Sequence, residues 1–165
     1  ALLFGKGQRF DAARKELETA LSLDPSFAPA AVNLADLDRT LGRDADGERV
    51  LRDALVRSPD DASLQYALGL TLIRQGQKPE ALGYLAAAAR LDPANARFNY
   101  VYAVALNDAG QAGKALEVLE SDIALHPYDR DALAALAGYY RAEGNSPKAD
   151  IYAERLSELE AGDSP

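Results

Sequence analysis

Residues able to do chemistry are few in this chain, and their spacing argues against a reactive site. There is one histidine, His126, and no cysteine. Hydrolytic and zinc sites draw on imidazole or thiolate with partners in reach, and the missing cysteines remove disulfides, thiolate nucleophiles and cysteine metal sites together. His126 stands directly before Pro127, where a surface turn residue is the plainer reading. The run Gly110-Gln111-Ala112-Gly113-Lys114-Ala115 has a faint look of a phosphate loop. It lacks the motif's first glycine, Ala115 stands where Ser or Thr would bind magnesium, and a helix precedes it rather than a strand. Carboxylates cluster as Asp36 with Asp38, Asp44 with Asp46 and Glu48, and Asp60 with Asp61. Near helix starts these read as caps and dipole partners on a solvated face, with Asp44 and Asp46 opening a helix. No CxxCH haem motif is present. An enzyme is therefore not expected, and neither is a cofactor or a metal.

The elements that position these residues follow from a ruler of prolines. Pro25, Pro59, Pro93 and Pro127 stand 34 residues apart each time, and a fixed period of this size marks a repeat architecture. Small residues keep the same phase: Ala1, Ala35, Gly69, Ala103 and Ala137 at one place, and Ala13, Gly47, Ala81, Ala115 and Ala149 at a second. A third place reads Ala20, Ala54 and Ala88, then breaks at Asp122 and Leu156. Gly42, Gly76, Gly110 and Gly144 stand in register as turn signals, with Gly7 one place early. Asp24-Pro25, Ser58-Pro59, Asp92-Pro93 and His126-Pro127 are helix stops, because proline lacks the N–H and pushes its predecessor out of the α region. The pattern predicts helices at 28–41 and 45–57, 62–75 and 78–91, 96–109 and 112–125, and 130–143 and 147–160. Residues 10–23 precede them as another helix, and 1–6 form the end of an earlier one.

This pattern of length, small places, glycine turn and proline resembles the tetratricopeptide repeat family, whose unit is a 34-residue helix-turn-helix. The resemblance covers essentially the whole chain, although Ala31, Gln65, Asn99 and Leu133 stand where the family has an aromatic residue. It implies an all-α, right-handed superhelical solenoid of helix-turn-helix units. The units would be a partial one at 1–27 followed by 28–61, 62–95, 96–129 and 130–163, in a single continuous repeat domain. The alanine-rich style, as in VYAVALNDAG, is similar to bacterial members.

In such arrays the first helices line a concave groove, into which the fifth, ninth and twelfth places of the unit point. The resemblance thus implies a groove of Val32, Asp36 and Arg39, then Tyr66, Leu70 and Ile73, then Tyr100, Val104 and Asn107, then Ala134, Gly138 and Arg141. Arg74, Arg97 and Asn33 would lie at its edges. The expected occupant is a peptide segment or partner subunit, held by apolar and tyrosine anchors. The carboxylate clamp of some family members is not matched, since Val32 and Asp36 stand at its lysine and asparagine places and only Asn33 resembles it. The alternative expectation is an assembly segment of a larger multidomain protein, forming homo-oligomers through exposed repeat ends. Residues 1–4 would be open at one end, and Ile151, Tyr152, Leu156 and Leu159 at the other.

Bulk properties fit a protein-binding role. A net charge of −8 leaves 18 basic residues scattered among 26 acidic ones, which disfavours nucleic acid and anionic membrane surfaces. No apolar run approaches the roughly 20 residues that span a bilayer. A cysteine-free composition suits a bacterial cytoplasm or periplasm equally. Asp122 tests the register: a carboxylate between helices predicts an outward-shifted helix, or a bond to Arg130 or to a backbone N–H of the next helix start.

Overall fold

The computed structural model describes residues 2–162, with side chains from residue 9 onward. Among the described residues the chain is all α-helix, and no strand is present. The helices are α1 (Leu2–Leu23), α2 (Ala28–Thr40), α3 (Asp44–Arg57), α4 (Ala62–Arg74), α5 (Lys78–Leu91), α6 (Ala96–Asp108), α7 (Ala112–Leu125), α8 (Arg130–Ala142) and α9 (Ser146–Gly162). They fall into two compact units, one running to Leu91 and the other starting at Asp92. The all-α helical-repeat class expected from the sequence is the one found.

Each hairpin is closed by a glycine that no other residue replaces cheaply. Gly42, Gly76, Gly110 and Gly144 have φ between 70° and 78°, the left-handed region in which a Cβ meets its own backbone. The residue after each glycine reaches back into the helix: Arg43 N–H donates to Asp38 O, Gln77 to Leu72 O, Gln111 to Leu106 O and Asn145 to Tyr140 O, all at 2.8–2.9 Å. These six-to-one bonds satisfy carbonyls that a helix end otherwise leaves open.

At the proline turns the following helix is started by a side chain. Asp61 accepts from Leu64 N–H at 2.9 Å, Asn95 from Phe98 N–H at 3.3 Å, and Asp129 from Ala132 N–H at 2.9 Å. These are N-caps 34 residues apart, each satisfying an orphan donor of the first turn. Asp61 thus does what its sequence context suggested. Asp44 and Asp46 lie in the first turn of α3, where the positive end of the helix dipole favours them.

In the first unit, Leu51, Leu64, Leu68, Leu72 and Leu85 are fully buried together with Ala31 and Ala81. The small residues permit the close approach. A Cβ on Gly47 would stand 3.2 Å from the Ala35 backbone, and one on Gly69 would stand 2.8 Å from Leu85 Cγ and Cδ2. In the second unit the core is Leu119, Leu133 and Leu136 with Ala103, Ala115, Ala132 and Ala149.

Two sequence expectations are corrected here. The turn at Gly7 does not form, because α1 runs unbroken from Leu2 to Leu23. Continuing the helix keeps the backbone groups paired, and one interior glycine costs only about 1 kcal/mol. The small residue expected at Ala1 lies outside the described residues, and the open stripe over 1–4 lies outside the described side chains.

The second correction concerns Asp38, expected on a solvated face with Asp36. Asp36 is exposed, but Asp38 is fully buried and bonded to the guanidinium of Arg14 on α1. Its place in the repeat is held by Leu72 and Leu106 in later hairpins, so an inward direction is built into the register.

Candidate functional site

The first helices carry the predicted residues at steps of four and three, which sets them on one face. On α4, Tyr66, Leu70 and Ile73 are half-buried, and Ile73 packs against the buried cluster of the first unit. On α2, Val32 is half-buried against the same cluster, while Asn33, Asp36 and Arg39 are exposed. Within the second unit, Tyr100, Val104 and Asn107 of α6 are half-buried, Arg97 is exposed, and Ala134, Gly138 and Arg141 of α8 are exposed. Each unit therefore presents its own partly covered apolar stripe with a tyrosine near its N-terminal end.

Three of the predicted arginines are tied to acids of their own unit. Arg39 Nε lies 3.1 Å from Asp36 on the same helix, Arg74 Nε lies 3.0 Å from Asp44 of α3, and Arg141 lies 3.9 Å from Asp150 of α9. Arg74 also donates to Thr71 Oγ1 at 3.0 Å. A partner carboxylate would have to compete with these acids. Exposed ion pairs contribute little on their own, so apolar contact is the larger resource of these faces.

Tyr139 of α8 was missed by sequence reasoning. It is half-buried, and burial, followed by the proximity of Tyr100 and Asp108, pushes its phenol above the ordinary value. Its signal was legible as a second aromatic residue beside Gly138 on a first helix.

A second set of polar residues also escaped the sequence reading. In the first unit, Arg52 of α3 bonds Glu48 at 2.7 Å, and reaches Glu80 at 2.8 Å and the Tyr84 hydroxyl at 3.0 Å on α5. Its guanidinium carbon lies 5.8 Å from the Tyr84 ring centre. In the second unit, Glu120 of α7 accepts from Tyr140 at 2.5 Å, from Lys148 at 2.9 Å and from Tyr152 at 3.3 Å. Tyr140 and Tyr152 stack with ring centres 5.9 Å apart, and Lys148 stands over Tyr140 at 4.6 Å. The Tyr140 bond, then Lys148, holds the Glu120 carboxyl below its ordinary value.

Asp122 is buried as its register demands, and it has a partner the sequence reading did not name. Asn99 donates to its carboxylate at 2.8 Å and to Pro93 O at 2.9 Å. The helix stays regular instead of shifting outward. Asn99 occupies the family's aromatic place and Asp122 a small place, so two departures from the pattern answer each other. The second Asp122 oxygen is buried without a partner. His126 caps α7, lies 3.9 Å from Asp122, and bonds Ala94 O at 2.8 Å, so it braces a turn rather than standing in solvent alone.

Burial raises the Asp122 carboxyl above its ordinary 3.8, opposed by the Asn99 bond and His126 and assisted by Asp129. A raised acid stabilises the fold fully below its unfolded value, and that contribution is lost as pH rises through the folded value. Asp122→Asn keeps an acceptor for Asn99 and removes the charge. It is expected to stabilise the protein at pH 7 by about 1 kcal/mol, with the gain shrinking as pH falls into the carboxyl range. Urea melts of both proteins across that range check the sign, and a gain that grew toward low pH would contradict it.

Among the described residues no group of three or more acids or histidines stands ready to hold a metal. No described helix is long and apolar enough to cross a membrane.

Two family models, each of a tetratricopeptide repeat, match residues 6–71 and 66–130. Cellulose synthase 2 operon protein C of Komagataeibacter xylinus is 38% identical over 90 residues, which are 54% of this chain. The matched stretch spans 7% of that protein's length. The structure of MamA aligns with a TM-score of 0.82 at 23% identity, covering 95% of this chain and 92% of that one. YrrB, described as a TPR protein with an unusual peptide-binding site, aligns with a TM-score of 0.76 at 21% identity over 98% and 83% of the two chains. At these identities the structural likeness is one of fold.

Proposed function

Since the chain belongs to the tetratricopeptide repeat family, we propose that it is a non-catalytic scaffold that holds a peptide segment or a partner subunit on the faces of its first helices. The observation that carries this reading is the stripe of Tyr66, Leu70 and Ile73 on α4, left half-buried on a helix whose other leucines, Leu64, Leu68 and Leu72, are fully buried. The second unit offers a like stripe in Tyr100, Val104 and Asn107, with Tyr139 beside Tyr100. Tyrosine supplies contact area and a hydroxyl at low entropic cost, which suits a residue that must wait for a partner. The peptide-binding description of YrrB supports the reading by analogy. The net charge of −8 sets nucleic acid outside the proposed partners. Within this reading Asn33, Asp36, Arg39, Arg74, Arg97 and Arg141 edge the faces and tune which segment is accepted.

Tyr66→Ala and Tyr100→Ala are each expected to weaken capture of the partner about tenfold or more, while circular dichroism and melting stay close to the parent. Capture by the double variant equal to that of the parent would remove these faces from the function.

A further inference from the structure

The acidity of this chain is gathered in one of its two units. Up to Leu91, 13 acidic residues stand against 12 basic ones, and from Asp92 onward 13 stand against only 6. The second unit thus carries nearly all of the net charge of −8, together with six of the eight tyrosines. Carboxylates and tyrosines both attract a cation, the first by charge and the second through the negative face of the ring.

Most of these groups are already engaged. Glu120 and Asp150 pair with Lys148 and Arg141, Asn99 bonds Asp122, Asp129 caps α8, and Tyr140 stacks on Tyr152. Asp108 is different. It is the last residue of α6, it is exposed, and none of these pairs includes it. The negative end of the helix dipole lies there and favours a base. The other first helices after α1 supply one in their last turn, Arg39 on α2, Arg74 on α4 and Arg141 on α8, whereas α6 has none. Arg74 holds the same repeat place as Asp108, 34 residues earlier, and is tied to Asp44. An acid that breaks a local rule with no local compensation marks a functional position.

The surroundings of Asp108 are built to receive a side chain. Tyr139 of α8 lies within electrostatic reach of both Asp108 and Tyr100, and both tyrosines are half-buried. Beside Tyr139, Gly138 has nothing within 4 Å of the position a Cβ would take, and Ala134, one turn earlier, is small and exposed. Along α6 the eight steps from Tyr100 to Asp108 cover about 12 Å, roughly three to four residues of extended chain. Val104 stands between them, half-buried.

We propose that the first-helix face of the second unit takes an extended basic segment of a partner protein, with an arginine or lysine set against Asp108 beside Tyr139 and an apolar residue laid on Val104 and Tyr100. This occupant presupposes the scaffold function proposed for the first-helix faces and adds its chemistry. Charge selects it. An acidic segment is repelled by Asp108 and by the acid excess of the unit, and a neutral one leaves Asp108 unanswered.

The probe is a short fluorescent peptide alternating arginine and leucine, compared with two others in which citrulline, the uncharged counterpart of arginine, or glutamate replaces the arginines. In anisotropy titrations of the full chain the arginine peptide is expected to bind about tenfold or more tighter than the citrulline peptide. Asp108→Asn should cancel most of that preference, and it relieves an unfavourable dipole contact, so the fold does not suffer. Tyr139→Leu should weaken the arginine peptide about fivefold and the citrulline peptide much less. Glu117→Gln, which removes an exposed acid of the second helix α7, should leave the preference intact. Equal binding of the arginine and citrulline peptides would overturn the proposal, as would tighter binding of the glutamate peptide or binding of none. A loss from Glu117→Gln as large as that from Asp108→Asn would also overturn it, by reducing the effect to diffuse attraction. The two proposals fail separately: arginine and citrulline peptides bound alike, and both weakened by Tyr100→Ala, would keep the face as a binding surface and remove only its basic occupant.

Discussion

Arg14→Ala is expected to destabilise the protein by about 3–5 kcal/mol, the cost of breaking a buried ion pair and leaving one charge behind. The charge left is Asp38, whose side chain is fully buried and whose Oδ2 already has no partner. The carboxylate in turn holds the Arg14 guanidinium above its ordinary value, chiefly through their hydrogen bond. Glu18, 3.5 Å from Arg14 on the same helix, is exposed and cannot substitute as a cation for Asp38. The decisive control is Arg14→Leu combined with Asp38→Leu. Leucine already stands at the Asp38 place in later hairpins, as Leu72 and Leu106, and a well-packed apolar pair often matches or exceeds a buried ionic one. The double variant should recover the stability lost by Arg14→Ala in urea unfolding. If Arg14→Ala unfolds at the parent's midpoint, α1 is not held through this pair.

Gly69→Leu should cost about 3 kcal/mol or more through overpacking. A bare Cβ at this position would already stand 2.8 Å from two Leu85 side-chain atoms and 3.4 Å from the Leu85 nitrogen. Gly69→Ala is the informative milder case. Alanine gains about 1 kcal/mol in helix propensity, and the nearest atoms belong to a side chain that can turn aside, so the two terms oppose and a net change below about 1 kcal/mol follows. Leucine has no such escape, since its branches must enter space held by fully buried Leu85. Truncating Leu85 to alanine in the Gly69→Leu background should return part of the loss, a non-additivity that only residues in contact show. Thermal melts in which the two changes merely add would mean that α4 and α5 do not meet here.

The architecture was legible because its determinants are local and recur. A glycine forced to positive φ, a proline that ends a helix and a small residue where helices touch each leave a mark at one position, and the period multiplies the mark. Gly7 shows where this fails: a turn glycine acts only if chain on its far side folds back, and α1 simply continues. Asp38 and Asp122 show a second failure. Their partners, Arg14 and Asn99, lie 24 and 23 residues away, at distances unrelated to the period, so Asp38 read as solvated and the bond from Asn99 to Asp122 was not foreseen. The contacts of Arg52 and Glu120 were hidden for a different reason. Their spacing repeats but their charges invert, so a comparison of residue types sees no likeness where the geometry has one. Of the candidate faces, the residues and their spacing were legible, as was the Asp36 partner of Arg39 three residues before it, while the acids that hold Arg74 and Arg141 emerge only when the neighbouring helices are placed.

The four turn glycines have nothing within 4 Å of the position a Cβ would take. What is demanded at Gly42, Gly76, Gly110 and Gly144 is therefore handedness and not room. These are the points where the backbone adopts the conformation natural to an amino acid of opposite chirality, and a D-alanine would sit there unstrained while an L-alanine would not. The hairpins of this molecule are thus joined at sites open to mirror-image chemistry, and their sharpness owes nothing to the neighbours that surround them.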